Sequence, residues 1–112
     1  MATPVLVNGY TGVQATAIQV RGQSCDVMGY HIYNASNAVA FVQFYDQKPD
    51  PPAVGTTVAK WVVPVPTVSQ VFMPISPTAG LLFEGGLWIA ATTTASGSTN
   101  PSAVLTISVA VS

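Results

Sequence analysis

The side chains that do chemistry are scarce in this sequence. Nucleophilic catalysis needs a nucleophile, a base and a group that orients the base. The chain holds one histidine, His31, and one cysteine, Cys25. His31 sits inside the run Tyr30-His31-Ile32-Tyr33, which reads as a strand. That makes it a sheet residue, hydrogen-bonded or facing solvent, rather than a base. Cys25 reads as a small buried apolar residue. No local charge pattern lowers the pKa of its thiol, and a lone cysteine forms no internal bridge. The carboxylates are Asp26, Asp46, Asp50 and Glu84. Asp46 and Asp50 share a proline-rich loop and could contribute to a Ca²⁺ site, but the dense oxygen ligands of a dedicated calcium loop are missing. One His and one Cys do not make a zinc site. The glycines between Gly80 and Gly86 lack the Lys-Ser/Thr pair and the following helix of a phosphate cradle. Asn34-Ala35-Ser36 matches the glycosylation sequon, but a turn already explains both polar residues. The expectation is therefore no enzyme, with no catalytic, cofactor-binding or metal site and no cofactor.

Composition narrows the partners. Only 6% of the 112 residues are charged, three Lys/Arg against four Asp/Glu, for a net charge of −1. Globular chains ordinarily carry about 25%. Three cations cannot supply the basic track of a nucleic-acid reader, and nothing attracts the chain to an anionic membrane. Every apolar run is broken well short of the roughly 18 residues of a membrane span. Met1-Ala2-Thr3-Pro4 has no basic region followed by an apolar stretch, so no cleaved secretory signal is expected. A soluble monomer usually carries more charge for colloidal stability. The shortage points to a subunit that lives in an assembly.

The elements that must position these residues read as strands throughout. The pivotal stretch is Gly29 to Tyr45. Two aromatic-rich runs there, Tyr30–Tyr33 and Ala40–Tyr45, flank Asn34-Ala35-Ser36-Asn37. Strand-like runs around a short polar turn predict a β-hairpin, taken as the central pair of the fold. Residues 1–12, with Pro4, Asn8-Gly9 and Gly12, read as an N-terminal arm or first turn. Strands are then expected over Val13–Arg21, Cys25–Tyr33, Asn37–Tyr45, Thr57–Val63 and Val68–Met73. Pro64 and Pro66 should end the fourth of these, whose Trp61 is expected in the core. Pro74 and Pro77 put Val68–Met73 at a sheet edge. Asp46–Gly55 is a loop, with three prolines and three of the seven charges. Leu81–Phe83 and Leu87–Thr93 flank Glu84-Gly85-Gly86, a tight turn or glycine bulge. Thr92–Asn100 is a polar loop with little to bury. Ala103–Val111 alternates cleanly, with Ala103, Leu105, Ile107, Val109 and Val111 on one face. About eight short strands with a turn every ten residues or so predict an all-β fold. The expected form is one antiparallel β-sandwich domain over residues 1–112, compatible with a jelly roll.

Three pieces in order carry a resemblance. GYHIYNASNAVAFVQFYDQ, then Val54-Gly55-Thr56-Thr57, then Phe83-Glu84-Gly85-Gly86-Leu87-Trp88-Ile89-Ala90-Ala91-Thr92 resemble small β-sandwich virion proteins of tailed bacteriophages. In those proteins a "GY-x-x-N…A-x-V-x-F-Y" hairpin is followed by "VGTT" or "VGTD" and a late "F-x-x-G-L-x-I-A-x-T" segment. The match covers roughly residues 29 to 92. It implies a structural protein of the phage particle, a capsid decoration or cement protein, made in the bacterial host cytoplasm and located on the virion. The implied partners are other copies of the chain, with a trimer favoured, and the major capsid protein or another virion protein. No catalytic or ligand residue carries over. A tail, fibre or baseplate accessory module and a carbohydrate-binding β-sandwich are the alternatives.

Overall fold

The computed structural model describes residues 6–47, 50–75 and 80–112. Nine strands form there: β1 (Leu6–Val13), β2 (Ile18–Arg21), β3 (Cys25–Asn34), β4 (Ala40–Asp46), β5 (Trp61–Val65), β6 (Ser69–Met73), β7 (Leu81–Phe83), β8 (Leu87–Thr92) and β9 (Leu105–Val111). They make two antiparallel sheets. Sheet A runs β1-β9-β3-β6, with β7 also on β3, and sheet B runs β2-β8-β4-β5. Inward side chains from both sheets form one core, including Ile32, Val42, Phe44, Phe83, Ile89 and Ile107. The fold is all-β, as expected, and it is a sandwich.

The pairing is nested. β4 pairs with β5, β3 with β6, β2 with β8 and β1 with β9. Apart from the short β7, this is a long antiparallel hairpin with its tip at β4–β5, wrapped so that the other successive strands alternate between sheets, which is the jelly-roll arrangement. It overturns the expected hairpin at Gly29–Tyr45. β3 and β4 lie in different sheets and share no ladder. Both runs are apolar on their inner faces because both line the same core from opposite sides.

The polar residues between them therefore make an arch and not a hairpin turn. Asn34 is fully buried. Its Nδ2 donates to the carbonyls of Ala38 at 3.0 Å, Val65 at 3.0 Å and Pro66 at 3.2 Å. Its Oδ1 accepts from the Ser36 amide at 2.9 Å. Thr67 Oγ1 donates to the Ser36 carbonyl at 2.7 Å. The β3–β4 and β5–β6 crossings are thus laced together. Burial with every amide atom engaged leaves no room for a glycan on the Asn34 sequon.

Three further expectations change. Part of the expected arm, from Leu6, is a strand pairing with β9 through Tyr10, then bulging before Val13; residues 1–5 lie outside the described residues. Pro64 does not end β5 but pairs with Phe41 within it. β5 is the edge of sheet B, where a proline can turn its missing N–H away from the ladder. Thr92–Asn100 buries more than its composition suggests. Its Thr94 and Gly97 carbonyls accept from Gln43 Nε2 on the outer face of β4, at 3.4 and 3.3 Å. Gln43 is 2% exposed beneath them.

The clean alternation of the last strand is real: Leu105, Ile107, Val109 and Val111 are all buried. β9 sits between β1 and β3. β6 is an edge strand, as the flanking prolines imply.

The Glu84-Gly85-Gly86 segment is another sheet crossing, held by one carboxylate. Asp46, at the end of β4, accepts from the Glu84 amide at 2.9 Å and the Gly85 amide at 2.8 Å. Lys60 stands 3.6 Å away. Gly86 has φ of 149°, and a Cβ there would lie 2.7 Å from the Arg21 carbonyl oxygen, so the site requires glycine. Burial raises the Asp46 pKa, but the Gly85 and Glu84 amides and Lys60 outweigh it, so the carboxyl sits below its ordinary value. A depressed carboxylate contributes stability above its unfolded pKa of about 3.9, and that contribution is lost as pH falls through the folded value. Asp46→Asn is expected to lose about 1–2 kcal/mol at pH 7. Urea melts of both proteins from neutral pH down to acid should converge in the acid range. Parallel curves would mean the carboxylate is not what holds the crossing.

Candidate functional site

The outer faces of the two sheets differ. That of sheet B is closed in part by the Thr94 and Gly97 carbonyls over Gln43, with Tyr45 fully buried beside it and donating its hydroxyl to Gln43 Oε1. That of sheet A is open. The register sets out its rows. Phe72, His31, Ser108 and Gly9 lie side by side across β6, β3, β9 and β1. The next row runs Gly29, Ala110 and Val7. Gln70, Tyr33 and Thr106 form the row on the other side.

Alternation explains the placement. Val71 and Met73 of β6 pack on the core, which forces Phe72 outward. Phe72 is 67% exposed, Val7 61% and Ile75 54%. Between them lies a trough of about 250 Å³, floored by Gly29, Ser108 and Ala110 and walled by Val7, Phe72 and Ile75. Gly29 is needed where Met73–Ile75 crosses β3, since a Cβ there would come within 2.9 Å of the Met73 carbonyl oxygen. Among the described residues no Asp, Glu, Lys or Arg lines the trough. His31 Nε2 and Gln70 Oε1 are 2.8 Å apart beside Tyr33.

The residues singled out for chemistry are not brought together. Cys25 is 3% exposed in the core, and burial, partly offset by Arg21, pushes its thiol pKa up. It is a poor nucleophile there. His31, on the same strand, stands on the outer face with Gln70 as its partner. Asp46 is committed to the Glu84 and Gly85 amides. Asp50 is exposed, and Gln47 Nε2 donates to its backbone carbonyl at 3.0 Å. Among the described residues no three His, Cys, Asp or Glu side chains converge on a metal-sized space. Burial pushes the phenols of Tyr10, Tyr30 and Tyr45 up, so none ionises near neutrality. What the open face offers is uncharged contact area, one trough and a few hydrogen-bonding groups.

Phe72 and Tyr33 were legible as aromatics but not as surface residues. The signal that finds Phe72 is its parity on β6, opposite to Val71 and Met73.

No protein-family model and no curated protein sequence matches this chain.

Proposed function

We propose that this protein is a non-enzymatic structural component of a bacteriophage particle, a capsid decoration or cement protein. It docks on the assembled shell through the outer face of sheet A. The observation that carries this reading is the exposed, uncharged trough walled by Val7, Phe72 and Ile75. Contiguous apolar exposure of this kind marks interaction surfaces. The phage-like segments between residues 29 and 92 support the virion setting, and jelly rolls are a recurrent architecture of viral capsid domains. The partners are the major capsid protein or another virion protein, and further copies of the chain. Attachment rests on apolar burial and hydrogen bonds, because exposed ion pairs are worth about 0–1 kcal/mol each and salt screens them.

Purified protein is mixed with undecorated capsids and occupancy is measured from about 0.05 to 0.5 M salt, where the Debye length falls from roughly 14 to 4 Å. Occupancy should hold nearly constant for the wild type and be lost for Phe72→Lys, a change at an exposed position that leaves the core untouched. Steep loss with salt, or full occupancy by Phe72→Lys, rules out docking through this face. Absence of binding at any salt rules out the decoration role.

One observation favours a second reading, a carbohydrate-binding sandwich. Tyr33 and Phe72 present aromatic surface on either side of the His31–Gln70 pair, an arrangement suited to stacking and hydrogen-bonding a sugar ring. A glycan array with wild type and Tyr33→Ala decides it: saturable binding lost in the variant would establish this reading.

A further inference from the structure

We infer that the open edge of sheet A at β1 pairs antiparallel with β1 of a second copy, joining the two sheets A into one. The inference deepens the proposed role in assembly and rests on it, since it names which edge makes the self-contact.

A sandwich has four sheet edges, and an unprotected edge strand is a template for strand addition. Three of these edges are blocked. β5 contains Pro64 and is followed by Pro66, which remove backbone donors. β2 has four residues, a register break between Gln19 and Arg21, and the Arg21 charge. On the far side of sheet A, β6 has five residues and β7 three; Pro74 follows β6, and Val68 with φ of 45° precedes it.

β1 is the longest of the edge strands, and its one register break lies at its far end. Its eight residues include no proline and no charged side chain. Leu6 to Tyr10 pair without interruption on β9, and the only irregularity comes after Tyr10. Alternate residues of an antiparallel strand turn their N–H and C=O away from the neighbour they pair with. Along Leu6–Tyr10 those groups face outward with no strand beyond them among the described residues. Leu6 and Val7 are 56% and 61% exposed at the start of the run.

The chemistry selects a second copy as the occupant. Free backbone donors and acceptors in a row fit another extended strand, which distinguishes this edge from a site for a small ligand. An uncharged strand meets itself without like-charge repulsion, and it offers a charged partner no complement. Antiparallel pairing of identical strands is isologous, so one contact satisfies both edges and closes as a two-fold dimer. A three-fold ring closed through this edge would need β1 to pair with a different edge, and the other edges are blocked. Self-pairing of Leu6–Tyr10 sets Asn8 opposite its two-fold mate and Val7 opposite Gly9, so the open outer faces of the two copies become one platform.

Two measurements on the full chain test this. Sedimentation is followed from about 1 to 100 µM, the range of weak to moderate affinities. The wild type should pass from monomer to dimer. Gly9→Lys combined with Gly12→Lys should weaken the dimer by about tenfold or more, with an unchanged thermal melt at about 1 µM, where both proteins are monomeric. Both positions accept a side chain: a Cβ at Gly9 meets only Ser108 Oγ at 3.8 Å, and one at Gly12 meets nothing within 4 Å. Amide hydrogen exchange of the wild type at the two ends of the range is the second measurement. Amides within Leu6–Tyr10 should slow at the high concentration while those of β5 do not. A monomer throughout, a trimer, or a dimer whose β1 amides exchange as in the monomer would overturn the inference. Capsid occupancy separates the two readings: a wild type that decorates capsids but stays monomeric refutes the β1 contact alone, and one that dimerises through β1 but never decorates refutes the decoration role alone.

Discussion

Phe44→Ala should lower the unfolding free energy by about 3–5 kcal/mol, the largest loss expected from any single truncation in this chain. Phe44 is fully buried on β4, with β8 and β5 on either side. Its ring centroid lies 6.0 Å from Tyr30 and 6.4 Å from Phe83 of sheet A, and 5.6 Å from Trp61 of sheet B. It is the one aromatic of the group in contact with all the others, so its removal opens a cavity between the sheets. Stability of a domain this size totals about 5–15 kcal/mol, so the variant should be marginal or unfolded at 37 °C. Trp61, expected in the core from sequence, is half-buried and packs against that core from the sheet B edge. Trp61→Ala should cost less than Phe44→Ala. Urea melts of both variants check the order; a Phe44 loss below about 1 kcal/mol would mean the sheets close over the gap.

Asn34→Asp is expected to cost about 3 kcal/mol or more at pH 7, although the side chain hardly changes shape. Asn34 Nδ2 donates to three carbonyls, and a carboxylate oxygen in its place would face those oxygens without a proton. Burial and that repulsion raise the folded pKa of the introduced carboxyl above the unfolded value of about 3.9. The sign follows: the variant is closest to wild type below the unfolded pKa and loses stability as pH rises through the folded one. This slope is opposite to that from Asp46. Thermal melts between pH 3 and 7, a range set by these carboxyl values, measure both. A variant that gains stability with pH would show that the amide protons are not what ties the two crossings together.

Much of the fold was legible in the sequence, because alternation is a local property. Ala103–Val111 announced a strand by period two, and Leu105, Ile107, Val109 and Val111 are buried in that strand. Prolines after Met73 announced an edge, and β6 is one. The scarcity of ionisable groups also bounded what the chain can hold, whatever its fold.

Pairing lay beyond the sequence, since turn residues report that the chain reverses and not which strand lies beside it afterwards. Asn34-Ala35-Ser36-Asn37 suits a hairpin turn locally. Only the wrapping of the nested pairs sends β3 to one sheet and β4 to the other, and makes Asn34 a buried tie. The same holds for Pro64, whose tolerance depends on β5 being an edge, and for Leu6–Val13, whose glycines read as a turn until β9 pairs with it. The candidate site had the same limit. Alternation divides each strand into two faces, but Phe72, Val7 and Ile75 became one trough only when β6, β3, β9 and β1 were set side by side. Solvent exposure is a property of that assembled face, fixed by what lies across from it, and no single strand carries it.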